Sequence, residues 1–194
     1  MGQPKDERRY TYADYCSWDD GQRWELIDGV AYMLAAPGER HQRIAFVISG
    51  QLYNFLRGKK GQCRAYVSPF DVRLGAGGGE DETVVQPDLL VICDQGKIDD
   101  KGCKGAPDLV IEILSPSTSH HDTWVKFHLY RRAGVREYWI VDPDTKTVQV
   151  CTLHGRDYMT TTYEGARSVP AAVLPGCEID LTEVFSENEE GANS

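Results

Sequence analysis

The densest apolar run in the chain is Leu109, Val110, Ile111, Ile113 and Leu114, set between Pro107 and Pro116. A short run rich in β-branched residues and bounded by proline predicts a buried strand. One charge, Glu112, interrupts it. A carboxylate in such a place is costly unless it is paired, protonated or bound to a metal. Ser115 to Ser119 reads as a turn, and a helix capped near Ser119 follows. Asp122, Lys126 and Tyr130 recur at i, i+4 spacing and so share one face of that helix.

The same reading along the rest of the chain predicts the other elements. Thr11 to Trp18 places Tyr12 and Tyr15 on one face of a short helix. Asp28-Gly29, between the apolar segments Arg23–Ile27 and Val30–Ala35, predicts an antiparallel hairpin. From Glu39, apolar residues recur at helical spacing through Ile44, Ile48, Leu52 and Leu56, about five turns closed by Gly58. Cys63 to Leu74 alternates as a strand with a kink at Ser68-Pro69. Val84 to Cys93 is a strand interrupted at Pro87-Asp88, and Lys97 to Gly105 reads as a polar loop. Val135 to Val141 and Thr147 to Leu153 form a hairpin about Asp142–Lys146, Asp157 to Tyr163 adds an edge strand, and Ile179 to Phe185 is a strand-to-helix patch. The expected architecture is a single mixed α/β domain over 1–194: one central sheet, two main helices, an N-terminal hairpin and a C-terminal antiparallel meander, with 1–9 and 187–194 disordered.

Composition narrows the class. With 194 residues, 41% hydrophobic and 26% charged, the chain suits a soluble globular domain. No apolar run approaches the roughly 20 residues of a membrane span, and no signal peptide is evident, so a cytoplasmic location and no membrane partner are expected. Six scattered cysteines with no C-x-x-C pair read as reduced and mostly buried. The glycines of Gly75–Glu82 precede no helix and no Lys-Ser/Thr, which excludes a phosphate loop. A net charge of −9 argues against generic DNA affinity, although basic residues bunch at Arg57–Arg64, Lys97–Lys104 and Lys126–Arg136.

Two segments share a Pro-Asp at or before an apolar run, giving Asp88 and Asp108. Asp108 and Glu112 lie about 13 Å apart on one strand, too far to share an ion. Asp88 and Glu112 can share one if their strands are in-register neighbours. Two hard carboxylates with water and a phosphate oxygen suit Mg²⁺. Lys126, from the following helix, can then stabilise a developing phosphorane charge or orient the attacking water. Plainer readings stand beside this one: a turn at Asp88, a surface Lys126, a buried ion pair at Glu112.

Asp88, then Glu112, then a lysine resembles the PD-(D/E)xK nuclease superfamily, except that Leu114 stands where the strand lysine of an E-x-K would be. The resemblance narrows to the Uma family of restriction-endonuclease-like proteins. It rests on Pro107–Thr118, Asp122, Lys126, Tyr130, Gly134, Val135, Glu137–Trp139 and Val141–Pro143, with Glu25–Gly29, His41-Gln42 and Gln86–Asp88 upstream. It implies a restriction-endonuclease-like mixed sheet flanked by helices, and Mg²⁺ or Mn²⁺ held by Asp88 and Glu112. The catalytic lysine is then relocated to Lys126, whose stem of about 6 Å can reach back from a helix. Glu25 becomes an outer catalytic carboxylate, Gln86 and Tyr130 support the ligands, and His41, Asp108, Asp122 and Tyr138 are assigned to capping, packing or structure. DNA is the implied substrate and a homodimer the implied assembly. Alternatives are a non-cleaving binding or regulatory module, or a hydrolase of another phosphoester.

Overall fold

The computed structural model describes residues 8–59, 61–75, 79–115 and 120–186, with backbone alone for 120–122. Helix α1 (Tyr12–Tyr15) is set by a capping box: the Thr11 hydroxyl accepts from the Asp14 N–H, and the Asp14 carboxylate accepts from Thr11 N. Strands β1 (Trp24–Ile27) and β2 (Val30–Met33) form the expected hairpin. Asp28 and Gly29 both adopt positive φ, 47° and 79°, as the tight turn of a twisted hairpin requires. Helix α2 (Glu39–Arg57) buries Ile44, Ile48 and Leu52 and leaves Phe46 and Tyr53 exposed.

The two interrupted strands each divide between sheets. Cys63–Leu74 becomes β3 (Arg64–Val67) and β4 (Val72–Arg73). Val84–Cys93 becomes β5 (Val84–Val85) and β6 (Leu89–Ile92). Proline cannot donate to a ladder, so the chain leaves one sheet at Pro69 or Pro87 and joins the other. The polar stretch expected to be a loop holds β7 (Ile98–Asp99) and β8 (Gly102–Lys104), with Cys103 buried. Gly102 is needed there, because a Cβ would come within 2.2 Å of the Asp71 carbonyl.

Strand β9 (Leu109–Ile113) and helix α3 (His120–Ala133) follow, the helix start near Ser119 lying outside the described residues. Next come β10 (Glu137–Asp142), β11 (Thr147–His154), β12 (Asp157–Glu164), β13 (Ser168–Pro170), β14 (Glu178–Asp180) and α4 (Leu181–Val184). The single expected sheet is therefore two six-stranded sheets, ordered β2-β1-β5-β4-β8-β7 and β12-β11-β10-β9-β6-β3, plus the β13-β14 pair.

Alternation along β9 sorts its residues between two cores. Leu109, Ile111 and Ile113 pack with α2 and the C-terminal segment, while Val110 packs with Leu129 and Tyr130 of α3 and with the first sheet. Glu112 shares the α3 side with Val110. Buried Glu137 accepts from Trp139 Nε1 at 2.7 Å and from the Val173 amide at 2.8 Å, tying the C-terminal segment to β10.

Two further expectations change. Cys63 and Cys93, just outside the paired Arg64 and Ile92, are joined by a disulfide rather than reduced. Arg9, expected to be frayed, pairs with Glu82 at 2.8 Å. Among the described residues no helix is long and apolar enough to cross a membrane.

Candidate active site

The site forms where the two sheets meet. The chain leaves the first sheet at Val85 and enters the second at Leu89, crossing through Gln86, Pro87 and Asp88. Antiparallel β6 and β9 pair Leu89 with Ile111 and Leu90 with Val110. One step further in that register sets Asp88 opposite Glu112. The Ile113 amide donates to Asp88 Oδ2 at 2.8 Å, fixing the aspartate across the strand gap.

Helix α3 brings Lys126 and Tyr130 to Glu112 from one face, as their spacing requires. Lys126 Nζ donates to Glu112 Oε1 at 2.9 Å and to Glu25 Oε1 at 3.0 Å. Tyr130 donates to the same Glu112 oxygen at 2.7 Å. Glu25 arrives from β1, fully buried, and also accepts from the Gln86 amide at 2.9 Å. Asp88, Glu112, Lys126 and Glu25 thus converge, with Leu114 at the wall of the same cleft, where a strand lysine would otherwise project. The cleft encloses about 570 Å³.

Three carboxylates face one ammonium, and burial amplifies the imbalance. Burial, with Asp88 and Glu25 adding to it, pushes the Glu112 carboxyl up to about 7 against the pull of Lys126. Burial works against the charge of Lys126, but Glu112 and Glu25 outweigh it and hold the ammonium above its ordinary pKa. Burial and the adjacent carboxylates push the Tyr130 phenol well up, so it stays a hydrogen-bond donor.

Among the described residues no three His, Cys, Asp or Glu side chains gather as a ready-made metal cage. The donor set fits a hydrated Mg²⁺ or Mn²⁺ instead, because such ions are commonly held by one or two carboxylates and keep several waters. Among the described residues, the protein hydrogen bonds to Glu112 fall on Oε1 and those to Asp88 on Oδ2, which leaves the other oxygen of each for a ligand. Glu25 Oε2 is buried without a hydrogen-bond partner among the described residues. An orphaned buried oxygen beside such a pair suits a cation or its water.

Residues 11–182 match the Uma2 family, described as "Putative restriction endonuclease". The chain belongs to the Uma2 family. An uncharacterized protein, slr1290, of Synechocystis sp. is 28% identical over 146 residues, covering 74% of this chain and 73% of that one. A crystal structure titled as a "putative nuclease belonging to DUF820" from Anabaena variabilis has a TM-score of 0.74 at 19% identity, covering 90% of this chain and 97% of that one. The fold is therefore the mixed α/β, restriction-endonuclease-like one.

Some residues of this Uma2 chain stand elsewhere than their sequence suggests. His41, expected to cap or pack, turns its Nε2 to Asp88 Oδ2 at 3.0 Å and lines the cleft. Burial works against its charge, but the hydrogen bond to Asp88 and the negative charges of Asp88 and Glu112 together outweigh that and raise its pKa. Asp108 is structural as expected, accepting from the Cys93 amide and from Arg136. Tyr138 is a buried core residue that also lines the cleft. The Asp122 side chain lies outside the described residues. Gln86, expected to support the ligands, lines the cleft, and its side chain hydrogen-bonds to neither Asp88 nor Glu112 but accepts twice from Arg23 and donates to Tyr15 and Asp71. The basic bunch at Lys126–Arg136 does not line the cleft as a group. Lys126 is inside the cleft, and Arg131, Arg132 and Arg136 pair with Asp157, Asp28 and Asp108. Arg23, which the sequence offered only as a strand start, lines the cleft. Its one signal was position: it lies two residues before Glu25 and so shares its face of β1.

Proposed function

We propose that this protein is a metal-dependent nuclease that hydrolyses DNA phosphodiester bonds. The observation that carries the reading is the facing of Asp88 and Glu112 across β6 and β9, with Lys126 held 2.9 Å from Glu112. Asp88 and Glu112 would hold Mg²⁺ or Mn²⁺, which when bound polarises a phosphoryl oxygen and acidifies a water. Tyr130 and the Ile113 amide each hold one oxygen of these carboxylates, and the other oxygen of each would ligate the ion. His41 steadies Asp88 from the α2 side. Lys126 stays charged beside them and can donate to oxygen as negative charge develops on the phosphoryl group. Glu25 holds Lys126 in place.

The test is Mg²⁺- or Mn²⁺-dependent cleavage of plasmid DNA by the wild type, Glu112→Ala and Lys126→Ala. Loss of cleavage in both variants, with folding retained, is expected. Cleavage at the wild-type rate by either variant would remove that residue from the mechanism. The net charge of −9 favours a second reading, a binding or regulatory module on the same fold that does not cleave. Stoichiometric binding of DNA without metal-stimulated cleavage would select it.

A further inference from the structure

Arg23 is a half-buried cation that lines the cleft and has only neutral partners among the described residues. Its Nε and one terminal nitrogen donate to Gln86 Oε1 at 3.1 and 2.8 Å, and the same terminal nitrogen donates to Ser68 Oγ at 2.6 Å. Gln86 cannot turn away, because its amide is committed to Tyr15 and Asp71 at 3.0 and 2.9 Å. The guanidinium is therefore held in place and not neutralised. By contrast Arg73, Arg131, Arg132 and Arg136 each face a carboxylate. A fixed, unneutralised guanidinium is a phosphate-recognition group. Arg23, the residue before β1, and Glu25 lie about 7 Å apart along an extended chain, roughly the step between neighbouring phosphates of an extended strand.

The cleft mouth is apolar. Phe46 is 77% exposed, Val67 50% and Met33 41%, and all three line this same cleft. Exposed large apolar side chains grouped at one opening mark a binding surface. An aromatic ring near a fixed guanidinium is an arrangement that can take an unpaired base by stacking while the cation holds its phosphate. Duplex DNA offers no such base, because its bases are already stacked on one another, and Arg131, Arg132 and Arg136, each paired with a carboxylate, are not free to track a second backbone.

Building on the nuclease reading, we infer that the cleft takes single-stranded DNA, with Arg23 on the phosphate next to the scissile one and a base laid on Phe46. Stacking contributes affinity that does not depend on salt, which suits a chain of net charge −9.

The experiment measures fluorescence anisotropy of a labelled strand of about ten thymidines, and of the same strand annealed to its complement. Ca²⁺ replaces Mg²⁺ so that binding is read without turnover. The strand is expected to bind about tenfold tighter than the duplex. Phe46→Ala, an exposed position that does not threaten folding, should weaken strand binding about tenfold with the salt slope unchanged. Arg23→Gln should weaken it with a salt slope shallower by about 0.7, the signature of one lost phosphate contact on a single strand. Equal or tighter binding of the duplex, or unchanged strand affinity in both variants, overturns the inference. Cleavage is read separately with Mg²⁺. Arg23- and Phe46-dependent strand binding without cleavage would sink only the hydrolytic reading. Cleavage of duplex at the wild-type rate by Phe46→Ala, with duplex bound as tightly as strand, would sink only the single-strand inference.

Discussion

Lys126 and Glu112 meet at 2.9 Å, one from the helix that follows the strand bearing the other. The same ammonium reaches Glu25 on the first sheet at 3.0 Å. Lys126 thus joins the two sheets through a charge-assisted link at the floor of the cleft. Its side chain is 13% exposed and that of Glu25 not at all.

Removing that ammonium leaves two carboxylates desolvated and facing each other. Lys126→Met is expected to lose about 2–3 kcal/mol of unfolding free energy, because breaking a largely buried pair strands the partner charge. Adding Glu112→Gln should return about 1 kcal/mol of it, since the second change removes a repulsion that the first created. Urea unfolding of the single and double variants measures both. A fully additive loss would show that the three groups are not coupled.

Glu137 offers a stability test away from the cleft. It accepts from Trp139 Nε1 and the Val173 amide in a buried setting. Glu137→Ala leaves both donors unsatisfied and should cost about 3 kcal/mol. A thermal shift of this size, with strand binding unaltered in the folded protein, is the expected result.

Asp99 gives a pH dependence with a definite sign. The hydrogen bond from Arg73, which has a largely buried side chain, holds the Asp99 carboxyl at about 2, below its model-peptide value of 3.8. A depressed folded pKa contributes stability above the unfolded value, lost as pH falls from about 4 through about 2. Asp99→Asn should therefore be less stable than wild type at pH 5, with the gap narrowing towards pH 2. Melting both proteins across that range checks it, and a constant gap would contradict the ion-pair account.

Much of the fold was legible because its signals are local. Asp28-Gly29 determined the hairpin turn, and the periodicity from Ile44 to Leu56 with Gly58 beyond it bounded α2. The facing of Asp88 and Glu112 was legible as a possibility, since two apolar segments with acids at matching depth pair that way. Sheet membership was not, because each short strand is assigned by partners distant in sequence. The prolines at 69 and 87 marked interruptions without saying that the chain changes sheets there. Ile98–Lys104 reads as polar because its strands are short, β7 lies at the sheet edge, and only Gly102 and Cys103 are deeply buried. The roles of His41 and Arg23 depend on which side chains meet across β1, α2 and the Gln86–Asp88 crossing, and spacing along one element does not encode that. Arg131, Arg132 and Arg136 looked like a basic patch because their acidic partners, Asp157, Asp28 and Asp108, lie far away in the chain.

The most direct test of the central claim is calorimetric titration of Mn²⁺ into the wild type and Asp88→Asn. A site held by Asp88 and Glu112 predicts one ion per chain in the wild type and none in the variant, with both proteins folded. Undiminished Mn²⁺ binding by Asp88→Asn, or no binding by the wild type with or without a DNA strand present, would contradict it.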